Sequence, residues 1–260
     1  MNVETLGGLL VVTATVIVAS VVLLWLVSLL LRNVSIIDLF WGVGFVLIAW
    51  VTWLTLVGDG GSRRLLLFVL VTAWGLRLAG YLTWRNIGKG EDFRYRAMRE
   101  RWGRRFPLVS LATVFLLQAA LMLIVSLPVQ AGMLTGGAVG VIGAVGVGLW
   151  LVGLAFETIG DLQLARFKRD PANRGRVMDR GLWRYTRHPN YFGDFCVWWG
   201  LYLVALTAST WWTAVGPFLM SILLLRVSGV SLLERDIGSR RPGYAEYVQR
   251  TNAFFPGPRK

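Results

Sequence analysis

Long apolar stretches alternate with short, densely charged segments along the chain. A membrane helix needs about 20 apolar residues to cross roughly 30 Å of hydrocarbon, and the sequence has enough such stretches for about seven spans. The predicted spans are residues 6–31, 36–57, 65–84, 107–130, 137–165, 191–209 and 211–233. The pattern therefore predicts an all-α, polytopic membrane protein in which residues 1–260 form a single integral membrane domain.

The basic residues are concentrated in three segments that separate or follow the predicted spans. Of the 27 Lys and Arg residues, eight lie in 85–105, eight in 166–187 and six in 235–260. In a seven-span arrangement all three segments lie on one side of the bilayer. Because basic loops stay on the cytoplasmic side, we expect an outside N-terminus, a cytoplasmic C-terminus and a location in the cell inner membrane. The tail 242–251 is expected to form a short amphipathic piece at the interface.

Composition narrows the classes of function. Only 16% of residues are charged, whereas soluble proteins carry about a quarter. The net charge of +13 lies in loops between apolar spans, so we predict the lipid bilayer as partner and no nucleic acid. The single cysteine, Cys196, excludes an internal disulfide, and the single histidine, His188, argues against a histidine-rich metal site. No metal is therefore predicted.

Glycine and proline positions predict how the helices pack. Four glycines of the fifth span are spaced three residues apart, at Gly137, Gly140, Gly143 and Gly146. No strand precedes them and no phosphate-loop pattern is present, so close packing of helices through small residues is the favoured interpretation. Pro128 and Pro217 are expected at kinks or near helix ends.

Two predicted spans of the first half contain ionisable residues. An ionised side chain at mid-bilayer costs about 2.5–3.5 kcal/mol on insertion scales, so each needs a partner or a purpose. Asp38 lies one turn into the second span, and Arg77 lies deep in the third with Tyr81 at i+4 on the same face. Either Asp38 and Arg77 form an ion pair, or these groups line a substrate cavity with Tyr81 and Trp41.

The fifth span ends in a stripe of charged residues. Glu157, Asp161 and Lys168 occupy positions i, i+4 and i+11, which share one face of a helix because 11 residues return to within about 20° of the start. The stripe can be an internal ladder of salt bridges. It equally suits a long polar ligand whose hydroxyl and amide groups meet the acids while a phosphate meets the base.

The sixth span begins with a second polar stripe. Pro189 suits the first turn of a helix, and Asn190 and Asp194 follow at i, i+4 spacing. Helix capping explains Asn190 but not an acid one turn inside an apolar helix. Glu234 and Arg235, at the end of the seventh span, either close the same site or mark the membrane interface.

Residues 181–194, Gly-Leu-Trp-Arg-Tyr-Thr-Arg-His-Pro-Asn-Tyr-Phe-Gly-Asp, resemble the C-terminal signature of the steroid 5-alpha-reductase family, most closely its bacterial branch. The resemblance continues upstream through the stripe 157–168 and the loop around Arg176. It extends more weakly to residues 91–95 and 241–244. It implies a seven-helix fold that holds NADPH in a cytoplasm-facing cavity and reduces an activated C=C bond of a hydrophobic, lipid-like substrate.

The resemblance also implies roles for residues. Residues 131–260 are expected to be the cofactor-binding half and 1–130 the substrate-cavity half. The expected cofactor-binding residues are Glu157, Asp161, Lys168, Arg176, Arg187, His188, Asn190 and Asp194, with Arg174 a further partner for phosphate. In the catalytic half, Trp-Gly-Leu-Arg at 74–77 replaces the family's Tyr-x-His-Arg. Asp38, Tyr81 and Arg77 are therefore the candidate catalytic residues, with Asp38 or Tyr81 as proton donor.

Two other functions fit parts of the pattern. The Arg-His-Pro-x-Tyr run at 187–191 also resembles the isoprenylcysteine carboxyl methyltransferases, which use S-adenosylmethionine, a cofactor without phosphate. The sixteen basic residues of the segments 85–105 and 166–187 favour a phosphorylated dinucleotide, although membrane topology alone also accounts for them. A transporter would place its charges along a path through the membrane, whereas these gather towards the predicted cytoplasmic half.

Overall fold

The computed structural model describes residues 5–227 and 243–259, and in these residues all regular structure is helical. Eleven α-helices are described: α1 Leu6–Leu31, α2 Ile36–Thr55, α3 Gly61–Asn86, α4 Phe93–Trp102, α5 Phe106–Ser110, α6 Leu117–Val125, α7 Leu127–Thr135, α8 Val141–Arg169, α9 Pro189–Ala205, α10 Val215–Ile222 and α11 Tyr244–Arg250. Helix α11 lies within the tail 242–251, whose amphipathic placement at the interface stays a prediction.

Five helical segments of the described chain are long and apolar enough to cross a membrane, and each overlaps one of the first five predicted spans. They are α1, α2, α3, Phe93–Val125 and α8. Helix α9 has 17 residues, and Trp211–Arg226 is a shorter apolar helix. The count of seven spans and the orientation of the termini stay predictions. Part of the predicted span 211–233, and Glu234 and Arg235, lie outside the described residues.

The chain divides into two compact units. The first comprises Met1–Val139 and Ala205–Thr213, and the second comprises Gly140–Val204 and Ala214–Lys260. The assignment of a substrate-cavity half and a cofactor-binding half concerns ligands, so it stays a prediction.

Helices α2 and α3 of the first unit approach closely through glycine. A Cβ atom on Gly42 would lie 2.4 Å from the carbonyl oxygen of Gly75, and one on Gly75 would lie 2.7 Å from that of Gly42. Real Cβ atoms do not approach this closely, so the crossing requires glycine in both helices.

The fourth predicted span is not a regular helix. A π-helical segment, Leu111–Leu116, follows α5, and the helix breaks at Ser126, after which Pro128 occupies the first turn of α7. Pro217 is likewise in the first turn of α10. Both prolines therefore lie where a missing N–H is tolerated, as predicted.

Buried polar groups also connect the helices of the first unit. The hydroxyl of Thr13 on α1 donates to Gln130 Oε1 on α7 at 2.8 Å, and Gln130 Nε2 donates to Ser126 Oγ at 2.9 Å. Arg64 at the start of α3 is buried, and its Nε donates to the carbonyl of Met133 at 3.0 Å. Each polar group therefore has a hydrogen-bond partner that makes burial tolerable.

Four glycines hold α8 against α9 in the second unit, and we call Gly146, Gly153, Gly193 and Gly200 the glycine seam. A Cβ on Gly153 would lie 2.5 Å from the carbonyl oxygen of Gly193, and one on Gly200 would lie 2.6 Å from that of Gly146. Close packing predicted from the three-residue spacing is confirmed at Gly146. The seam itself repeats every seven residues, and a Cβ on Gly140 would meet nothing within 4 Å.

Candidate functional site

The charged stripe lies on one uninterrupted helix, as predicted. Helix α8 is continuous over 29 residues and contains Glu157, Asp161 and Lys168. Glu157 is 3% exposed and Asp161 is 4% exposed, whereas Lys168 is exposed. The helix therefore carries two buried carboxyl groups and, about 10 Å further along its axis from Asp161, an accessible cation.

The first turn of α9 lies against the turn of α8 that contains these acids. Asn190 Nδ2 donates to Asp161 Oδ1 at 3.4 Å. A Cβ on Gly193 would lie 2.8 Å from Glu157 Cγ, and one on Gly160 would lie 3.2 Å from Pro189 Cγ. The structure thus brings Glu157, Asp161 and Asn190 together, because glycine removes the side chains that would separate the helices. Asp194, half-buried, lies one turn further along α9.

The segment preceding α9 is fixed to α8 by two hydrogen bonds. Trp183 Nε1 donates to the carbonyl of Gly160 at 3.0 Å, and the N–H of Leu182 donates to Gln163 Oε1 at 2.9 Å. Gly181 adopts φ +60°, and a Cβ there would lie 2.4 Å from Gln163 Nε2. Glycine therefore suits this position both for its positive φ and for its close contact.

The C-terminal tail holds the same segment from another side. Tyr247 on α11 donates its hydroxyl to the carbonyl of Trp183 at 2.6 Å, and Thr186 donates to the carbonyl of Phe254 at 2.7 Å. Arg187 is buried, and its Nη1 donates to the carbonyl of Thr251 at 2.7 Å and to that of Val248 at 3.1 Å. Arg187 therefore caps the C-terminal end of α11, and its predicted contact with phosphate stays a prediction.

His188 is buried beside this cap. Its ring stacks on that of Tyr191 with 5.6 Å between the centroids. The single histidine thus lies at the junction of the fixed segment and α9. In residues 5–227 and 243–259 no group of three or more His, Cys, Asp or Glu side chains has the arrangement of a metal site.

An open cleft of about 380 Å³ lies where α8 ends. Its lining combines cationic, amide and carboxyl groups with backbone, and consists of Phe167, Lys168, Arg169, Asp170, Pro171, Asn173, Arg174 and Gly175. Arg176 follows in the same loop and is exposed. Three of the basic groups expected at a phosphate, Lys168, Arg174 and Arg176, are therefore accessible at one end of α8.

In the first unit, Asp38 contacts residues that the sequence interpretation did not pair with it. Tyr95 donates its hydroxyl to Asp38 Oδ1 at 2.7 Å, and Arg94 Nη2 donates to Asp38 Oδ2 at 3.2 Å. Both partners belong to the segment 91–95 of the family resemblance, but 56 and 57 residues separate them from Asp38. The family resemblance therefore pointed to the segment 91–95, but the sequence did not indicate that this segment contacts Asp38.

The other candidate catalytic residues lie along α3. The guanidinium of Arg77 lies 5.5 Å from the ring centroid of Tyr81, which confirms their common face, and that of Arg85 lies 5.7 Å from it. Trp41 on α2 packs its ring edge-on against Phe45 at 5.3 Å. The Asp38–Arg77 ion pair and the substrate cavity stay predictions.

Glu91 anchors the loop that presents Arg94 and Tyr95. Its carboxylate accepts from the N–H of Val34 at 2.9 Å and from Arg99 Nη2 at 2.7 Å. Burial alone would raise the pKa of Glu91, but these hydrogen bonds outweigh it, and the pKa lies below its usual value. Glu91 therefore remains ionised, and this bonding holds the loop beside the start of α2.

Comparison with known proteins finds a relative of similar sequence. An uncharacterised protein of Schizosaccharomyces pombe (strain 972 / ATCC 24843), C594.04c, is 26% identical over an alignment 271 residues long, and the alignment covers 90% of this chain and 75% of the relative. No solved structure matches. The family described as "Protein of unknown function (DUF1295)" matches residues 24–251, which is most of the chain. The chain therefore belongs to the DUF1295 family.

Proposed function

We propose that this protein is a membrane-embedded, NADPH-dependent reductase of an activated C=C bond in a lipid-like enone. The observation that carries the proposal is the pair of buried acids, Glu157 and Asp161, beside Asn190 on a helix that ends in an accessible cation. Carboxyl and amide groups held together in this way can exchange hydrogen bonds with the hydroxyl and amide groups of a long polar ligand. The resemblance of residues 181–194 to the steroid 5-alpha-reductase signature supports the same function.

The donor and acceptor groups suit a phosphorylated dinucleotide. Carboxylates accept hydrogen bonds and repel phosphate, so Glu157 and Asp161 would take ribose hydroxyls or the carboxamide. Lys168, Arg174 and Arg176 would hold the phosphates, since cations are accessible at this end of α8. When bound, NADPH supplies a hydride. The proposal includes seven spans, the inner membrane and a cofactor site facing the cytoplasm.

Reduction of an enone also needs a proton donor, and we assign this role to Tyr95 with Asp38. Negative charge develops on the enone oxygen as its β-carbon gains a hydride, and a phenol that donates a hydrogen bond stabilises that oxygen. In the structure the single O–H of Tyr95 donates to Asp38 Oδ1 at 2.7 Å, while Arg94 holds the other carboxylate oxygen. Tyr95 would donate to the enone oxygen after this O–H turns from Asp38 to the substrate. This assignment places Tyr95 ahead of Tyr81 as the donor and leaves Asp38 to position it.

We expect purified protein to bind NADPH and to oxidise it when an accepted enone lipid is supplied. NADPH should bind at least about tenfold more tightly than NADH, because one charge-assisted contact with the 2′-phosphate contributes about 1.5–3 kcal/mol. Calorimetric titration with NADPH, NADH and S-adenosylmethionine measures the affinities, and nicotinamide absorbance with a panel of enone lipids measures turnover. If the protein binds S-adenosylmethionine but not NADPH, the proposed reductase is wrong and a methyltransferase is favoured. Binding of none of them would favour a transporter.

The substitution Tyr95→Phe should reduce turnover by about 10²–10³-fold, the usual effect of removing one donor to a developing oxyanion. NADPH affinity should stay unchanged, because Tyr95 donates its hydroxyl to Asp38, which is not one of the proposed cofactor residues. Tyr81→Phe is the matched variant, measured in the same assay. Full turnover by Tyr95→Phe together with a loss in Tyr81→Phe would transfer the role to Tyr81.

A further inference from the structure

The basic residues around α4 form two groups. Arg94 and Arg99 bind carboxylates: Arg94 contacts Asp38 at 3.2 Å and Asp92 at 2.9 Å, and Arg99 contacts Glu91 at 2.7 Å. The second group is exposed, and within the described residues none of its members forms a direct salt bridge, although Arg96 acts electrostatically on Glu91 and Asp92. It comprises Lys89, Arg96, Arg101, Arg104 and Arg105. We call Arg96, Arg101, Arg104 and Arg105 the α4 basic surface.

Helix geometry explains this division. Tyr95, Met98 and Arg99 are partly buried. They occupy positions i, i+3 and i+4, so they share one face of α4. Arg96 and Arg101 lie on the opposite face, where the exposed acid is Glu100. The α4 basic surface therefore keeps a clear excess of positive charge towards the surroundings.

Exposed aromatic rings accompany these cations. Phe93 is 56% exposed and Trp102 is 39% exposed, and the guanidinium of Arg101 lies 5.7 Å from the Trp102 ring centroid. Aromatic rings and long basic side chains together are typical of the boundary between hydrocarbon and headgroups. A purely solvated surface would not need the rings.

Chain connectivity places the surface at the end of a candidate span. Helix α4 leads through the turn Gly103–Arg105 directly into α5, and the helical segment Phe93–Val125 contains a stretch that is apolar enough to cross the membrane. The end of a spanning helix lies at the depth of the lipid headgroups. Arg104 and Arg105 are therefore within reach of lipid phosphates.

We propose that the α4 basic surface binds the headgroups of anionic phospholipids, with Phe93 and Trp102 as interfacial anchors. Charge complementarity selects this occupant: four exposed guanidinium groups face a layer whose anionic headgroups attract basic residues. Retention of basic loops on one side of the membrane depends on their charge, and does not require the sorting into paired and exposed arginines seen here.

Lipid binding by the purified full-length protein tests the proposal. Native mass spectrometry in detergent would count bound lipid while phosphatidylglycerol or phosphatidylcholine is titrated at equal concentration. We expect preferential binding of phosphatidylglycerol, and at least about tenfold weaker binding by the variant R96Q/R101Q/R104Q/R105Q. The charge-conserving variant R96K/R101K/R104K/R105K should retain most of the binding.

The control variant R166Q/R180Q/R184Q removes exposed arginines from the last part of α8 and from the segment that precedes α9, and it should retain phosphatidylglycerol binding at the α4 basic surface. Equal affinity for the two lipids, or equal losses in the control and in the α4 variant, would overturn the proposal. If the α4 variant does not fold, lipid binding by the wild-type protein still tests the proposal. Its phosphatidylglycerol binding must weaken as salt screens the arginines, and salt-independent binding would refute the proposal.

Discussion

Asp161→Asn is expected to weaken NADPH binding by about tenfold to a hundredfold. Hydrogen bonds to charged groups contribute about 1.5–3 kcal/mol each, and the substitution removes the charge of a carboxyl group that is almost fully buried. The asparagine oxygen can still accept from Asn190 Nδ2, which lies 3.4 Å from Asp161 Oδ1. The second carboxyl oxygen becomes an NH₂ group, which cannot accept a hydrogen bond from a cofactor hydroxyl. Calorimetric titration with NADPH measures the loss.

Asp59→Asn is the matched control. Asp59 is exposed, and its Oδ1 accepts from the N–H of Gly61 at 2.8 Å, a bond that the asparagine oxygen can also accept. The same chemical change there should leave NADPH affinity unchanged. If folded Asp161→Asn protein binds NADPH as tightly as wild type, Asp161 is not a cofactor ligand and the proposed function loses its main support.

Gly153→Ala should lower the free energy of unfolding by about 1–3 kcal/mol, and Gly153→Val by more, because inserted groups in a packed interior force the backbone to shift. The new Cβ would lie 2.5 Å from the carbonyl oxygen of Gly193 and 2.7 Å from the backbone nitrogen of Val197. Neither atom can rotate away as a side chain can. The helices must separate, so Asp161 and Asn190 should also lose their contact and NADPH affinity should fall.

Gly148→Ala provides the control on the same helix. Gly148 is exposed, and a Cβ there would meet nothing within 4 Å. Replacing a helical glycine by alanine in open space is stabilising by about 0.5–1 kcal/mol. Unfolding of the two variants in detergent, followed by loss of helical signal, compares them directly. Similar stabilities would mean that the glycine seam does not hold α8 to α9.

Local patterns predicted the helical elements. The length of the apolar stretches determined the five segments able to cross a membrane, because hydrocarbon thickness and helical rise set that length. The helical period placed Glu157, Asp161 and Lys168 on one helix, and Pro189 was recognised as the start of α9. These features depend on neighbouring residues, which a sequence displays directly.

Only the tertiary structure showed which distant residues contact one another. Asp38 contacts Arg94 and Tyr95, and Arg187 caps α11 through carbonyls 61 and 64 residues away. No periodic pattern specifies such distant pairs.

The glycines show the difference most clearly. The three-residue spacing drew attention to Gly137 and Gly140, whereas the seam uses glycines seven residues apart on both helices. On two helices packed side by side, a residue position returns to the interface every seven residues, which is about two turns. This spacing can be recognised only when the partner helix is known.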